Sequence, residues 1–179
     1  MERKAQDAFA VWITGLPASG KSTLAAALTA RLAARGVDAA VLESDALRKV
    51  FTDHPRYDEE EREVFYSQMT YVGVLLTQHG VPVIFDATAN LRIYRDRARQ
   101  QIPRFLEVYV DCPLATCIAR DPKGIYRKAR EGAASSVPGL QAVYEPPEDP
   151  DLVVQGDREA PESAAERVVA KLVDKGYVR

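Results

Sequence analysis

The chain has 179 residues, of which 46% are hydrophobic and 28% charged, and its formal net charge is −2. This length fits one domain, residues 1–179, with enough apolar residues for a core. The small net charge disfavours long nucleic acid or an anionic membrane surface as the main partner, and no apolar run approaches the about 20 residues of a membrane span. The charged N-terminus is not followed by an apolar signal segment, and the two cysteines have no histidine cluster near them. We therefore expect a cytoplasmic protein without a disulfide framework or a zinc site.

Predicted strands and helices alternate along the chain. Short apolar runs predict strands at 8–14, 39–43, 81–85, 105–110 and 151–155. Apolar residues at helical spacing predict helices at 21–35, 59–79, 91–100, from 113 onwards, and at 161–175. This alternation predicts an α/β fold, a three-layer α/β/α domain with about five parallel strands. Residues 121–150 are rich in Gly, Pro, Ser and basic residues and have no clear period, so we expect a mobile lid there.

The first predicted strand leads into residues 15–22, "GLPASGKS", which match the phosphate-binding pattern G-x4-G-K-S/T. Glycines let the backbone bend so that successive N–H groups surround phosphate oxygens, and the next helix presents its positive end to them. From a surface loop, Lys21 can reach the β- and γ-phosphates, and the Ser22 hydroxyl can ligate Mg²⁺. The alternative is a glycine-rich turn with a chance lysine. The predicted nucleotide contacts here are Gly15, Ala18, Ser19, Gly20, Lys21, Ser22 and Thr23.

Nucleotide binding alone is compatible with a kinase, a GTPase-type switch or a non-catalytic nucleotide-binding module. The sequence has no N-K-x-D segment that would read guanine, which removes the sharpest support for a switch. A kinase needs a carboxylate near the acceptor hydroxyl, a second carboxylate for the metal, and mobile cations over the transferred phosphoryl group.

Two aspartates follow predicted strands, where α/β sheets bind their ligands. Asp45 follows the second strand, and Arg48 lies on the same face of a helical turn. Asp45 could accept the acceptor's proton while Arg48 holds an anionic oxygen, or Asp45 or Ser44 could simply cap a helix. Asp86 ends the third strand and could hold Mg²⁺ through water, or could cap the helix that starts near residue 90. The sequence leaves open which aspartate is the general base.

The cations come from two basic segments. The lid segment "ARDPKGIYRKAR" is interrupted by Pro122 and Gly124, which favours a closing flap over a solvated charged face. Its predicted ATP contacts are Arg120, Lys123 and Arg127. In "RIYRDRARQ" only Arg92 is expected to reach a ligand, and the remaining arginines are expected to form a solvated helix face.

With these segments in place, the chain resembles the adenylyl-sulfate (APS) kinase family over nearly its whole length. The resemblance is carried by "ITGLPASGKSTLA", "SDALR", "LRIYRDRAR", "FLEVYVDCPLATCIARDPKGIYRKAREG" and "YEPPEDPDLVV". It implies a P-loop kinase fold, ATP and Mg²⁺, and transfer to a ribose 3′-hydroxyl. It also implies the family's roles for Gly20, Lys21, Ser22, Asp45, Arg48, Arg92, Arg120 and Lys123.

The acceptor half departs from the family pattern. Residues 64–68 are V-F-Y-S-Q where the family has E-N-I-R-R, and residues 137–139 are V-P-G where it has F-T-G. Arg62 keeps a basic family position, and Phe65, Tyr66 and Tyr71 make the acceptor half more aromatic. We therefore expect an ATP-dependent kinase acting on a hydroxyl of a small molecule other than APS, with Arg62 and Phe65 among its substrate contacts. The alternatives are an authentic APS kinase that makes 3′-phosphoadenylyl sulfate, and a non-catalytic module. A homodimer is compatible with the sequence, which does not fix the oligomeric state.

Overall fold

A computed structural model describes residues 8–179, so the charged start of the expected single domain, residues 1–7, lies outside the described residues. The strands are β1 Ala10–Thr14, β2 Ala40–Glu43, β3 Val83–Asp86, β4 Phe105–Asp111 and β5 Leu152–Gln155. The helices are α1 Lys21–Ala33, α2 Ser44–Phe51, α3 Glu59–Gln78, α4 Arg92–Gln101, α5 Leu114–Arg120, α6 Ile125–Arg130 and α7 Pro161–Asp174.

The five strands form one parallel sheet in the order β2-β3-β1-β4-β5. The chain leaves β1 for the edge strand β2, returns through β3, and then crosses to the other side of β1. The strand order therefore reverses beside β1, and the crevice at the carboxyl ends of β1 and its neighbours is where such sheets bind ligands. The expected three-layer α/β/α architecture is confirmed.

Helices cover both faces of the sheet, and the central strand β1 is therefore buried along its whole length. On one face Leu24, Leu28 and Leu32 of α1 pack with α7 against the sheet. On the other face α3 and α4 supply aromatic and aliphatic side chains that surround Trp12, whose ring stacks on Phe85 at 4.4 Å between centroids. These two cores fix the carboxyl edge that carries the site.

The expected irregular lid contains a helix that the sequence pattern did not indicate. In α6, Tyr126 and Ala129 are buried with Cys112 and Cys117 in a small third core, and this burial stabilises a helix rich in charged residues. The Tyr126 hydroxyl also donates to the Pro17 carbonyl oxygen at 2.9 Å, which fastens the base of the lid to the loop after β1. None of the helices formed by residues 8–179 combines the length and hydrophobicity that a membrane crossing requires.

Candidate active site

The phosphate loop, residues 15–22, connects β1 to α1. Gly15 has φ +154°, and a Cβ atom there would lie 2.6 Å from the Val110 carbonyl oxygen, so only glycine lets the loop pass this close to β4. Gly20 takes φ +110° and Ala18 takes φ +62°, two left-handed conformations that turn the chain into α1. Gly20 is the N-cap of α1 and has no side chain to cap it. The first N–H groups of α1 are therefore available to an anion.

Lys21 is the first residue of α1 and is buried, with 9% of its surface exposed, whereas the sequence predicted a position on a surface loop. Its Nζ donates to the Leu16 carbonyl oxygen at 2.8 Å. Burial lowers the pKa of Lys21 from 10.5 to about 8, although Asp86 and Asp45 favour its charged form. A bound phosphate would supply the strong anionic partner that stabilises a buried ammonium.

Ser22 and Asp86 meet where α1 begins and β3 ends. Asp86 is buried, and burial raises its pKa, while a hydrogen bond from the Ser22 hydroxyl and the charge of Lys21 oppose that rise. Asp86 does not cap α4, since the N-cap of that helix is Leu91, so the capping alternative is wrong. The buried Ser19 hydroxyl finds no hydrogen-bond partner among residues 8–179, as expected of a phosphate contact that has not yet met its ligand.

The donor atoms of Ser22 and Asp86 fit Mg²⁺, which prefers hard oxygen ligands. Within the described part of the chain, no group of three His, Cys, Asp or Glu side chains could hold a metal on its own. Kinase magnesium ions do not require such a group, because one or two carboxylates suffice when the nucleotide phosphates supply further oxygens.

Asp45 lies in the first turn of α2 but does not cap it. Glu43 is the N-cap residue, and its carboxylate accepts hydrogen bonds from the N–H groups of Asp45 and Ala46 at 3.0 and 2.8 Å. The capping alternative for Asp45 and Ser44 is therefore wrong. The Asp45 side chain is half-exposed and pairs with Lys123 of the lid, a hydrogen bond that raises the pKa of Lys123. The Asp45 carboxylate therefore does not accept the free N–H groups at the start of α2.

Arg48 occupies a buried position between α2 and α3. Only 5% of its surface is exposed, and its guanidinium pairs with Glu61. The guanidinium carbon lies 3.9 Å from the ring centroid of Phe65 and 4.8 Å from that of Tyr57. Phe65 is thus a core residue beneath Arg48, with its ring covered, and the half-exposed aromatic ring at this edge belongs to Tyr57. A cation held against aromatic rings in a partly desolvated site is well placed to bind an anion.

Arg62 of α3 is the second buried arginine on this side. Its Nη2 donates to the Ser136 carbonyl oxygen at 2.5 Å, which links α3 to the far part of the lid. Burial lowers the pKa of Arg62, and the nearby positive charge of Arg48 lowers it further. Two arginines close enough to repel each other are stabilised when an anion binds between them.

Three of the substitutions on α3 that pointed away from APS take different positions in the fold. Phe65 is in the core, and Ser67 and Gln68 are exposed, with the Ser67 hydroxyl accepting from Arg97 of α4 at 3.0 Å. Tyr71, expected to make the acceptor half more aromatic, is 66% exposed on the outer face of α3. The sequence comparison therefore counted two exposed positions, Ser67 and Gln68, and one core residue, Phe65, that supports Arg48.

Arg92 begins α4 and is fastened to a segment that we call the strap, residues 143–148. Its guanidinium pairs with Glu148 and lies 3.8 Å from the Glu145 carboxylate, which also accepts the Arg92 backbone N–H at 2.8 Å. The strap reaches back to β1 as well, where the Tyr144 hydroxyl lies 3.1 Å from Thr14 Oγ1. The second half of the expected lid is thus tied to the sheet edge.

The three predicted lid cations lie on and between α5 and α6: Arg120 ends α5, Lys123 lies between the helices, and Arg127 is in α6. Arg120 donates to the Gly156 carbonyl oxygen at 2.9 Å, beside the loop after β5. Lys123 reaches Asp45 across the site, whereas Arg127 lies back over Gly124, with a guanidinium nitrogen 3.0 Å from where a Cβ of that residue would be. Only Lys123 of these three contacts a predicted acceptor-side residue.

Sequence reasoning missed two features of the site. Arg95 was expected on a solvated helix face, but 1% of its surface is exposed and it pairs with Glu107 at 2.7 Å. The signal was present, because Arg95 falls on the buried stripe of α4 with Tyr94 and Ala98. Tyr57 was also missed, since it lies between α2 and α3, where periodicity gives no signal.

Comparison with known proteins gives a consistent family. Residues 7–155 match the family model described as adenylylsulphate kinase. The adenylyl-sulfate kinase of Microcystis aeruginosa is 39% identical over 168 residues, covering 94% of this chain and 93% of that protein. The probable adenylyl-sulfate kinase of Pyrococcus abyssi is 37% identical, covering 96% and 99%. The solved APS kinase of Mycobacterium tuberculosis in complex with AMPPNP and APS superposes with a TM-score of 0.87 at 32% identity, covering 93% and 98%.

These relatives overturn the expectation that the acceptor is not APS. Proteins that match nearly the whole chain at 36–39% identity are named adenylyl-sulfate kinases, which favours the alternative, an authentic APS kinase. The expected enzyme class is confirmed: the protein is an ATP-dependent kinase that transfers a phosphoryl group to a hydroxyl acceptor. With the family model spanning most of its length, the chain belongs to the adenylylsulphate kinase family.

Proposed function

We propose that the protein transfers the γ-phosphoryl group of ATP to the 3′-hydroxyl of adenylyl sulfate, giving ADP and 3′-phosphoadenylyl sulfate. The observation that carries the proposal is the group formed by Arg48, Arg62 and Tyr57 beside Asp45. Arg48 and Arg62 are 5% and 6% exposed, and Tyr57, whose ring lies against the Arg48 guanidinium, keeps 43% of its surface exposed. An acceptor that joins an anionic group to a purine can pair with the arginines and stack on the tyrosine.

The donor half binds ATP through the phosphate loop. Lys21 stabilises charge on the β- and γ-phosphates, together with Ser19 and the first N–H groups of α1. Ser22 and Asp86 would hold Mg²⁺, which supplies neutralisation of the developing phosphate charge. Arg120, Lys123 and Arg127 cover the nucleotide from the lid.

Asp45 is the proposed general base, and Asp86 the metal carboxylate. Asp45 is half-exposed, whereas Asp86 is buried and held by Ser22. The acceptor oxygen bonds to the γ-phosphorus as ADP leaves, and the hydroxyl proton passes to Asp45. Because Lys123 pairs with Asp45 in this structure, acceptor binding must release that lysine, which can then contact the phosphates.

The acceptor contacts rest on charge. In this proposal the anionic end of the acceptor pairs with Arg48, Arg62 and Arg92. The incoming anion replaces Glu61 as the partner of Arg48. Phe65 contributes indirectly, because its ring supports the Arg48 guanidinium. The cytoplasmic location and the homodimer stay predictions; a related APS kinase of Thiobacillus denitrificans, matched over 30% of its chain, is described as hexameric.

The product of the reaction tests this proposal. The full chain is incubated with ATP labelled at the γ-phosphate, Mg²⁺ and APS, and the product is identified by mass and by the position of the label. We expect label on the 3′-oxygen of APS, and labelling at least about 10²-fold slower when Asp45→Asn replaces the wild type. Wild-type protein that labels another hydroxyl compound, but not APS, would refute the proposal.

A further inference from the structure

Residues 87–91, which we call the acceptor loop, connect Asp86 at the end of β3 to Arg92 at the start of α4. These two ends are the proposed metal carboxylate and a proposed acceptor contact, so the loop sets the spacing between them. Every carbonyl oxygen of the loop accepts a hydrogen bond. The donors, in order from residue 87 to 91, are Trp12 Nε1, Thr14 Oγ1, Arg95 Nη1, the Glu145 N–H and the Tyr94 N–H.

Ala89 is the strained residue of this loop. Its φ of +40° lies in the left-handed region, which a residue with a Cβ rarely adopts. Two side chains hold it there: the Tyr66 hydroxyl accepts the Ala89 N–H at 3.0 Å, and Arg95 donates to the Ala89 carbonyl oxygen. Strained backbone of this kind persists only where its environment over-determines it, and it concentrates at functional sites.

Arg95 connects this loop to two other elements. Its Nε donates to Glu107 of β4 at 2.7 Å, and its Nη2 donates to the Glu145 carbonyl oxygen of the strap at 2.7 Å. The rigid guanidinium fork therefore joins the acceptor loop, the sheet and the strap through one side chain. Lysine also has three N–H donors, but they share one nitrogen and cannot reproduce the three separate positions that Nε, Nη1 and Nη2 of Arg95 occupy.

The strap in turn orients Arg92. The Glu145 carboxylate accepts the Arg92 backbone N–H, and the Glu145 N–H closes the contact by donating to the Asn90 carbonyl oxygen at 2.7 Å. A displacement of Glu145 would thus move Arg92 and the end of the acceptor loop together.

We propose that Arg95 is a positioning residue for the acceptor half of the site: it fixes the acceptor loop and the strap so that Arg92 meets the anionic end of the substrate. This inference rests on the proposed APS kinase function. The phosphate loop takes no hydrogen bond from Arg95, so losing Arg95 weakens use of the acceptor and leaves ATP binding unchanged. A misplacement of about 1 Å in a binding group can cost up to about 10²-fold in rate.

The test compares Arg95→Met with Arg99→Met. Arg99 lies on the same helix and pairs with the same Glu107, at 3.2 Å, but bonds neither Ala89 nor Glu145 in this structure. We expect Arg95→Met to raise KM for APS about 10-fold or more while KM for ATP stays within about 2-fold. Arg99→Met should lower Tm without this split, and Arg95→Lys should recover part of the APS affinity. Equal changes in both KM values, or the same split in Arg99→Met, would overturn the proposal.

A second measurement separates this inference from the proposed function. Amide hydrogen exchange of the intact variants reports on the Glu145 N–H and the acceptor loop without requiring turnover. We expect faster exchange there in Arg95→Met and wild-type protection in Arg99→Met; unchanged protection in Arg95→Met would overturn the positioning role. If Arg95→Met fails to fold, Arg95→Met with Glu107→Met removes both buried charges and restores a testable protein. If the wild-type protein does not phosphorylate APS, the proposed function is refuted, while the hydrogen-exchange result still tests whether Arg95 fixes the acceptor loop and the strap.

Discussion

Replacing Lys21 by methionine should make the protein more stable and almost inactive. Burial lowers the pKa of Lys21 from 10.5 to about 8. At about 1.4 kcal/mol per pKa unit, the folded protein carries about 3 kcal/mol of disfavoured charge below pH 8. Methionine removes that cost and gives up one hydrogen bond, worth about 1 kcal/mol. The Leu16 carbonyl oxygen keeps the Ser19 N–H as a donor at 3.2 Å, so it is not left unpaired.

The expected net gain is therefore about 2 kcal/mol at pH 7, or about 4–8 °C in Tm for a chain of this length. Phosphoryl transfer should fall by about 10²–10³-fold, the scale of losing one preorganised charge partner in a transition state. Differential scanning calorimetry and a coupled ADP assay measure the two effects. Lys171→Met on α7, away from the site, is the control and should change neither by much.

The pH dependence gives the sign of the effect. The lowered folded pKa means that the unfolded chain holds the Lys21 proton more tightly between about pH 8 and 10.5. The free energy of unfolding of the wild type should therefore rise with pH through this window, and the Tm difference between Lys21→Met and the wild type should become smaller. For the same reason kcat/KM for ATP should fall above about pH 8, as the free enzyme loses the ammonium. A Lys21→Met variant that is less stable at pH 7 and still turns over ATP would refute the reasoning.

Two other predictions concern Asp45 and the lid. Asp45→Asn should lower kcat by about 10²-fold or more, the scale of losing a general base, with little change in KM for ATP. Its Tm should stay close to that of the wild type, because Glu43 rather than Asp45 caps α2. A fully active variant would show that Asp45 is not the general base. Trypsin should cleave residues 121–142 readily in the free protein and more slowly after AMPPNP and Mg²⁺ are added, because closure orders the lid cations around phosphate. The strap should resist cleavage in both samples. Equal cleavage of residues 121–142 with and without nucleotide would contradict the proposed closure of the lid.

The sequence predicted those parts of the molecule that follow local rules. The apolar run before Gly15 and the leucines of α1 at four-residue spacing identify a strand and a helix, and the phosphate-loop pattern lies between them. Asp45 and Asp86 could be located because parallel strands bring their carboxyl ends to one edge. The parallel sheet with helices on both faces agrees with the predicted alternation of strands and helices, whereas the strand order came from the structure.

Sequence reasoning failed where tertiary contacts decide. The helix α6 forms because Tyr126 finds a buried partner 14 residues upstream in Cys112, and a local pattern full of charges cannot show that. Arg95 looks like its exposed neighbours until Glu107 and the Ala89 carbonyl oxygen are placed beside it. The acceptor was misjudged because residues 64–68 and 137–139 were compared with the family pattern by residue type alone, whereas the fold buries Phe65 and exposes Ser67 and Gln68.

The arginines that we propose to bind the anionic end of the acceptor, Arg48 and Arg62, come from two different helices. In this proposal they supply the positive charge that the comparison of positions 64–68 found missing. The measurement that tests the central claim most directly is kcat/KM of the wild-type protein for APS beside that for adenosine 5′-monophosphate, which has the same ribose 3′-hydroxyl and purine but no sulfate. Each charge-assisted hydrogen bond to the sulfate is worth about 1.5–3 kcal/mol, so the account predicts a preference for APS of about 10²-fold or more. Equal use of the two compounds, or a higher kcat/KM for a different hydroxyl acceptor, would contradict it.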